Sequence, residues 1–464
     1  MTQPENSAVL PARHDDPPPG LGIRILQWLG QHPYTTVTTI ALLAMGITAA
    51  GRRTSEWTEV IVQSARALLH GKDIYVAVPH NTYLPFTAWI TVPFAVIPAH
   101  LAQGIWFAVL AVCLVYVIRT SWRLAGGGAL EGSAHRRAAG RSEQAAFIVG
   151  NIIALQFALN SLTHLQTDLL IAALLTAGCV EIAAERWRRG AVWIGLGAAF
   201  KATPLLFVPW LLWRRKWAAA AILLATMIGA NLLADTVHRP GDYGTWLNKW
   251  AHLYLFPMAS ANYLPGDWKN LLNNNQAISG AARRWLTTSW RDSPTEYLSA
   301  ASPSDARKHA IWIFELAACL ALLVPVLWSA RRVPAETGPP SGAARRATIV
   351  ECGMVMLLML LYSPNSSRAH FCILYLPAFC VARSAIDSPI KILLALSAIF
   401  STLSIHIRLP FTEGAEQTFL WLGVVMWSAI FLLLACIIVR RRLSRGTPYE
   451  APQSGLLVPA PAEG

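Results

Sequence analysis

The sequence predicts an all-α polytopic membrane protein, and two observations support this fold class. Of the 464 residues, 54% are hydrophobic and 14% are charged, with a mean hydropathy of +0.42, whereas soluble domains average about 25% charged residues. Apolar runs of about 17 to 25 residues, the length that crosses a bilayer, recur along the whole chain. We place these ten long spans at 34–50, 101–118, 144–160, 165–185, 217–235, 310–330, 347–362, 370–385, 389–405 and 416–439.

The basic residues indicate how the spans are oriented. Lys and Arg total 38 against 25 acidic residues, a net charge of +13. Half of these basic residues lie in five short connections, which follow residues 118, 185, 213, 330 and 439. Cytoplasmic loops are enriched in Lys and Arg, so we predict an N-in/C-in topology. The charge therefore reports orientation first, and we expect no nucleic-acid partner.

This topology divides the chain into a cytoplasmic tail (1–33), a membrane domain (34–440) and a second cytoplasmic tail (441–464). Within the membrane domain it predicts a first outer loop at 51–83 and a long outer loop at 236–309. Residues 1–20 have no apolar signal-peptide region, so the first apolar run is expected to be the first anchor. The seven cysteines lie within apolar runs and form no CxxC motif, which argues against a disulfide framework or a zinc site. We expect no metal and no cofactor.

Two apolar stretches do not fit a simple crossing. Residues 84–98 contain three prolines and are either a span or a short interfacial helix. Residues 190–213 have basic clusters at both ends, which one crossing cannot satisfy. A re-entrant hairpin with Lys201 at its apex, beside Pro204, does satisfy the charges. Each arm of about 11 residues rises about 16 Å, roughly half the hydrocarbon thickness.

Ionisable side chains in or next to the spans collect on the predicted outer side. Such residues are costly in a membrane and are candidates for function. Together with the amide of Gln166, they form a set that faces outward: Glu56, Glu59, His164, Gln166, Asp168, Lys201, Arg368 and His370, followed by His406 and Arg408. Lys and Arg can hold a phosphate, and a carboxylate can act as general base. The structural alternatives are a solvated helix start for Glu56 and Glu59, snorkelling for Lys201, a helix cap for Gln166 and Asp168, and interfacial anchoring for Arg368 and His370.

Five short strings, in order along the chain, resemble glycosyltransferase family 87. The resemblance covers about residues 34 to 440 and rests on Ala65–Tyr75 with Tyr83–Leu84–Pro85, Leu165–Gln166–Thr167–Asp168, Lys201–Ala202–Thr203–Pro204, Asn275–Gln276 with Gly280, and Ser363–Pro364–Asn365–Ser366 with His370. It implies the C-type glycosyltransferase membrane fold, a polyprenyl-phosphate sugar donor, a glycolipid or glycan acceptor, and an active site on the extracytoplasmic face of the bacterial inner membrane.

The resemblance also implies roles for individual residues. The family's first-loop Asp aligns with Trp57, so the base is Glu56, one residue earlier, or Glu59. Phosphate binding falls to three cationic side chains, Lys201, Arg368 and His370. Substrate binding or loop ordering falls to Tyr83, His164, Gln166, Asp168, Asn275 and Gln276.

We therefore predict an inverting hexosyltransferase, most simply a mannosyltransferase. The alternatives are a transporter or flippase of a lipid-linked or anionic substrate, and a non-catalytic membrane subunit.

Overall fold

The computed structural model describes residues 33–52, 55–79, 81–128, 141–256, 273–287, 305–331, 342–385, 387–405 and 413–445. Within these ranges the chain is helical, with short connections and no strand, so the all-α prediction is confirmed. Most of both predicted tails, together with His406 and Arg408, lies outside the described residues.

We number the α-helices of the described ranges in chain order. The N-terminal half contains α1 (Pro33–Ala50), α2 (Gln63–Leu69), α3 (Pro85–Ile90), α4 (Val92–Ala95), α5 (Ala99–Leu124), α6 (Arg141–Thr163), α7 (Asp168–Ala183), α8 (Trp187–Phe200), α9 (Phe207–Trp213) and α10 (Trp217–Leu232). The C-terminal half contains α11 (Trp246–Trp250), α12 (Ile278–Thr287), α13 (Asp305–Ala330), α14 (Gly342–Tyr362), α15 (Tyr375–Arg383), α16 (Ser388–Thr402), α17 (Glu413–Trp421) and α18 (Val424–Leu443).

Several of these helices can cross a membrane. In the described ranges, five are long and apolar enough: Ala99–Leu124, Arg141–Thr163, Trp217–Thr236, Lys308–Ala330 and Val424–Leu443. Three shorter apolar helices accompany them, at Thr35–Ala50, Thr203–Trp213 and Ser388–Thr402. The chain is therefore a helical membrane protein, while the count of ten crossings and the N-in/C-in orientation stay predictions.

The helices differ in how much of their apolar surface contacts other helices. Every residue of α14 from Ala347 to Leu361 is buried, and a helix that is apolar on all sides is one that packs on all sides. Of the apolar window in α13, only 11% is buried, against 67% in α18. Helix α14 is thus central, whereas α13 lies at the periphery with a surface suited to lipid.

Lys201 lies at a break between two helices, as the hairpin prediction requires. Helix α8 ends at Phe200, and Lys201 is extended, with φ −141° and ψ 134°. A 3₁₀ turn, Thr203–Leu206, then leads into α9. Pro204 can sit in the first turn of a helix but cannot continue one, because it lacks the N–H that an interior position must donate.

A second break, between α6 and α7, presents Asp168. Leu165 adopts a left-handed conformation with φ 58°, which is costly for a residue with a Cβ. The surrounding contacts hold it: the Trp106 indole donates to the Leu165 carbonyl at 2.9 Å, and the Gln166 N–H donates to the Ser161 carbonyl. The reversal allows α7 to begin at Asp168.

Helix breaks divide two apolar stretches, one of which the sequence left open between a span and a short interfacial helix. Residues 84–98 form two short helices, α3 and α4, rather than one crossing. The single span predicted at 416–439 is two helices, α17 and α18. The break falls at Gly423, whose φ of 76° is readily adopted by glycine and is where helices commonly end.

Candidate active site

A lysine, an aspartate and a histidine meet at the break after α8. The Lys201 Nζ donates to Asp168 Oδ1 at 2.8 Å and lies 2.5 Å from His370 Nε2. The Asp168 side chain is only 3% exposed, whereas that of Lys201 keeps 22% of its surface. The cation is therefore held by a buried carboxylate while part of it stays accessible.

The backbone fixes which nitrogen of His370 faces the lysine. His370 is the third residue of the 3₁₀ helix Arg368–Leu374, and its Nδ1 faces the Ser367 N–H at 3.1 Å. An ammonium can only donate, so the 2.5 Å contact with Lys201 requires His370 Nε2 to accept. A neutral imidazole has one acceptor nitrogen, so the Ser367 N–H and the Lys201 ammonium compete for this ring. The ring lies between the two donors and faces the lysine with Nε2.

Glu56 lies beside this cluster. The Gln166 Nε2 donates to Glu56 Oε2 at 2.5 Å, and Gln166 is two residues before Asp168. Glu56 precedes the π-helical segment Trp57–Val62, which is anchored by Trp57 stacked on Trp106 with ring centroids 5.3 Å apart. The carboxylate is therefore positioned by both the first loop and the α6–α7 turn.

The surroundings of Glu56 favour its neutral form. Its side chain is solvent-accessible, yet the protein around it displaces enough water to raise the pKa of the carboxyl. The Gln166 hydrogen bond and the charge of Lys201 partly offset this rise, whereas Asp168 adds to it. A general base is most efficient when its pKa lies near the working pH. A raised pKa therefore suits Glu56 better to this role at neutral pH.

Glu59 and His164 are both exposed. In the described part of the chain, the Glu59 side chain has no hydrogen-bond or ion-pair partner. The His164 Nδ1 lies 2.8 Å from the Asn160 carbonyl, so it donates there and leaves Nε2 as an acceptor. His164 is near enough to Glu56 to lower the pKa of that carboxyl. Of the two glutamates, the structure brings Glu56, and not Glu59, into the network.

Tyr83 forms one wall of the site. Its side chain is buried, and the Lys201 Nζ lies 5.4 Å from the centre of its ring, within range for a cation–π contact. Burial, together with the charges of Glu56 and Asp168, raises the pKa of Tyr83 well above its usual range. The phenol therefore stays protonated.

The backbone around Tyr83 is held by aromatic residues from two loops. The Tyr75 hydroxyl donates to the Tyr83 carbonyl at 3.1 Å. From the segment after α10, the Trp250 indole donates to the carbonyl of residue 82 at 3.1 Å, and the Tyr254 hydroxyl donates to the Asn81 carbonyl at 2.9 Å. These bonds join the two predicted outer loops.

A buried lysine strengthens the same junction. The Lys249 ammonium binds both Asp73 and Asp242. Burial alone raises the pKa of Asp73, but hydrogen bonds from Lys249 and from the backbone N–H groups of residues 75 and 76 outweigh it, so the net pKa is lowered. The two loops are thus tied by charge as well as by aromatic hydroxyls.

Asn275 and Gln276 use their side chains within the protein. The Asn275 amide donates to the Pro364 carbonyl at 3.1 Å and accepts from the Ser366 N–H at 3.1 Å. The Gln276 amide donates to the Leu420 carbonyl at 2.8 Å. Both residues are fully buried. They connect the long loop to the segment before His370 and to the end of α17.

Arg368 is directed away from Lys201. Its Nη1 donates to Glu416 Oε1 at 3.0 Å and to the Ser404 carbonyl at 3.2 Å. No hydrogen bond or ion pair joins it to Lys201 or Asp168 within the described ranges. Its Nε is buried and has no hydrogen-bond partner there.

One buried ionic cluster was not predicted from the sequence. Glu351, in the middle of α14, binds Arg214 through two bonds of 2.7 and 2.8 Å and Arg440 through one of 2.6 Å, and it accepts from the Trp210 indole at 3.0 Å. The sequence did contain a signal, because Glu351 is an ionisable residue inside a predicted span. The cluster ties α9, α14 and α18 together.

The helical membrane architecture and the site at the α6–α7 and α8–α9 breaks define a membrane protein with a cluster of ionisable side chains at two helix breaks. Among the residues that the structure describes, no group of three or more His, Cys, Asp and Glu side chains is arranged to hold a metal ion. Residues 81–364, more than half of the chain, match the model of glycosyltransferase family 87. The chain therefore belongs to glycosyltransferase family 87, as the motifs predicted.

The chain is also similar to a polyprenol-phosphate-mannose-dependent alpha-(1-2)-phosphatidylinositol mannoside mannosyltransferase of Mycobacterium tuberculosis. The two are 27% identical over 285 residues, which make up 59% of this chain and 56% of that protein. The chain thus aligns with about half the length of this curated relative. The family match includes Tyr83, Asp168 and Lys201, but Glu56 and His370 lie outside it, so their assignment rests on motif order and geometry.

Proposed function

We propose that this protein is a membrane mannosyltransferase that takes mannose from a polyprenyl phosphate and attaches it to a hydroxyl of a glycolipid or glycan. Family membership supports sugar transfer, and the mycobacterial relative supports a polyprenol-phosphate-mannose donor. We further propose that transfer occurs on the extracytoplasmic face of the bacterial inner membrane. The supporting observation for this side is the clustering of Lys and Arg in the opposite connections.

One observation carries the proposal: a carboxylate and an ammonium are both held by the same short turn. Gln166 binds Glu56 at 2.5 Å, and Asp168 binds Lys201 at 2.8 Å. A transferase that breaks a sugar–phosphate bond needs a base for the acceptor and positive charge for the leaving group. Glu56 can serve as the base and Lys201 as the positive charge. Both are held by side chains of one turn, Gln166 and Asp168.

The reaction is a single displacement. The Glu56 carboxylate takes the proton of the acceptor hydroxyl as that oxygen attacks the anomeric carbon of mannose. The bond from the anomeric carbon to the phosphate oxygen breaks, and its electron pair leaves with polyprenyl phosphate. Because attack and departure occur on opposite faces of the carbon, the configuration inverts.

Lys201 stabilises the phosphate as its negative charge grows, and His370 lies beside the ammonium. Donors directed to a developing charge in a site shielded from water contribute strongly to the rate. Arg368, the third predicted phosphate ligand, is held by Glu416 and the Ser404 carbonyl, so it takes no part in this step. Asp168 keeps the ammonium of Lys201 in position.

The sugar and acceptor are held by the polar groups around Glu56. Gln166 donates to Glu56 through Nε2, while its buried Oε1 has no partner among the described residues, so it can accept a sugar hydroxyl. His164 presents Nε2 at the exposed rim, and the Tyr83 ring forms an apolar wall. Asn275 and Gln276 order the loops that surround these groups.

The alternative of a transporter or flippase requires polar groups that line a path through both halves of the membrane. A further buried ionic group, Glu351 with Arg214 and Arg440, has its carboxylate saturated by four hydrogen bonds. Its side chain is 1% exposed. Such a group lines no path, which favours chemistry over transport.

Proteoliposomes that contain the purified protein test the proposal. They are given polyprenyl phosphate carrying labelled mannose or labelled glucose, with cell-envelope glycolipids as acceptors. We expect labelled product from the mannose donor, and its loss in Glu56→Gln. The proposal is wrong if Glu56→Gln and Glu59→Gln, singly and together, leave transfer unchanged.

A further inference from the structure

A groove that is separate from the site around Lys201 lies between α1 and α5. It has a volume of about 520 Å³ and is open along one side. Leu42 of α1 and Val112 of α5 contribute to its apolar part, and Arg119 and Arg123 line its other end. None of the residues that line it belongs to the site around Lys201.

The two arginines at the end of the groove lie on one face of α5, because residues four apart on a helix are neighbours. Both are exposed. The Arg119 guanidinium donates to the Thr35 hydroxyl of α1 at 3.2 Å, which holds it across the groove. In the part of the chain that the structure describes, neither arginine forms an ion pair. Their positive charge is therefore available to an anion.

A neighbouring carboxylate does not neutralise this charge. Glu181 of α7 is close enough to act on the Tyr116 hydroxyl, which also lines the groove. Glu181 is bound by Arg186, however, with Nε and Oε2 2.5 Å apart. The groove thus combines an apolar length with a positive end.

The length of the groove along α5 matches the hydrocarbon thickness of one membrane leaflet. From Val112 to Arg123 is eleven residues, or about 16 Å along the helix. Half of the roughly 30 Å hydrocarbon core is about 15 Å. An acyl chain that starts at the level of the arginines therefore ends near the middle of the bilayer, beside Val112.

We propose that this groove is a binding site for an anionic glycerophospholipid of the leaflet next to the arginine-rich connections. One acyl chain lies between Leu42 and Val112, and the headgroup phosphate lies between Arg119 and Arg123. Basic pockets between membrane helices recognise such headgroups, and the planar guanidinium group suits a phosphate. The proposal is independent of the sugar-transfer reaction.

Native mass spectrometry of the full-length protein tests the proposal. The detergent-purified protein is titrated with phosphatidylglycerol and, separately, with phosphatidylcholine of the same acyl chains. We expect the anionic lipid to bind more tightly. We also expect Arg119→Gln with Arg123→Gln to weaken phosphatidylglycerol binding by about five-fold per arginine, roughly 25-fold together. Arg188→Gln with Arg189→Gln, an equal loss of charge at exposed positions of α8, is the matched control and should bind as the wild type does.

A second variant tests the apolar part and does not depend on the arginines. Val112 is 69% exposed, so Val112→Trp fills the groove without disturbing the core and should weaken binding, whereas Ile105→Trp on the same helix should not. Equal binding of the two lipids overturns the proposal. So does binding that survives both groove variants, or that falls equally in the Arg188/Arg189 control. Displacement of the phospholipid by polyprenyl phosphate, or by inorganic phosphate alone, also overturns it and assigns the groove to that ligand.

Discussion

Lys201→Met separates the two roles that a buried lysine can have, which are neutralising a neighbour and acting on substrate. Methionine keeps the length of the side chain and removes its charge. In the variant, Asp168, with 3% of its side chain exposed, loses its 2.8 Å partner. His370 remains beside it, 3.6 Å from the carboxylate.

The structure gives a magnitude for each role. Removing one partner of a buried ion pair costs about 3–5 kcal/mol, but 22% of the Lys201 side chain is exposed, so solvent screening reduces the loss of stability to about 2 kcal/mol. Removing a donor that stabilises a developing negative charge lowers kcat by about 100- to 1,000-fold. The first effect depends on Asp168, whereas the second depends on substrate.

The double variant Lys201→Met with Asp168→Asn distinguishes these effects. Its asparagine leaves no unpaired carboxylate, so thermal unfolding should return to near the wild-type temperature. The transfer rate from polyprenyl phosphate mannose should stay as low as in Lys201→Met. Lys201→Arg, which keeps the charge, should retain more activity than either. A double variant with a rate within about ten-fold of the wild type would refute the reasoning, because Lys201 would then serve only to neutralise Asp168.

Three further predictions follow from the same contacts. Burial raises the pKa of Glu56, and a general base must be deprotonated to act. On acidification, kcat/KM should therefore begin to fall at a pH above the usual glutamate pKa of about 4.3. Glu59→Gln should keep this pH profile. Glu351→Gln leaves two buried arginines with a neutral partner and should lower the free energy of unfolding by about 3–5 kcal/mol, measured by thermal unfolding. Tyr254→Phe removes a hydrogen bond that positions the Tyr83 segment and should lower the transfer rate by about five-fold, equivalent to about 1 kcal/mol.

Matched variants control two of these experiments. Glu181→Gln removes the carboxylate of a pair whose arginine is 43% exposed, so it should leave the unfolding temperature close to that of the wild type. Tyr243→Phe, at an exposed tyrosine, should leave the transfer rate unchanged. Equal losses in Glu351→Gln and Glu181→Gln, or in the two tyrosine variants, would contradict the roles assigned to the buried groups.

Local sequence rules predicted the helix break at Lys201 but not every helix boundary. Basic clusters on both sides of Lys201, with Pro204 following, favoured a turn at that point. The break between α17 and α18 was missed because one glycine, Gly423, interrupts an otherwise continuous apolar run. Hydropathy measures how much apolar surface a segment has, and it does not measure the backbone angle of one residue.

The composition of the candidate site was largely predicted, but its pairings were not. Ionisable residues near the spans identified Asp168, Lys201 and His370 one by one. That Lys201 binds Asp168, whereas Arg368 binds Glu416, depends on contacts between segments far apart in sequence. Glu351 was overlooked although its position in an apolar run marked it. Periodicity assigns a residue to a helix, and only the packed structure gives its partners.

The most direct test of the central claim measures whether the sugar–phosphate bond is broken. Purified protein in proteoliposomes is given polyprenyl phosphate with labelled mannose and an acceptor glycolipid, and both lipid products are quantified. Sugar transfer predicts one molecule of free polyprenyl phosphate for each labelled mannose that appears on the acceptor, and neither product with Glu56→Gln. Labelled donor that crosses the bilayer with its mannose still attached, and without labelled acceptor, would contradict the account and identify a flippase.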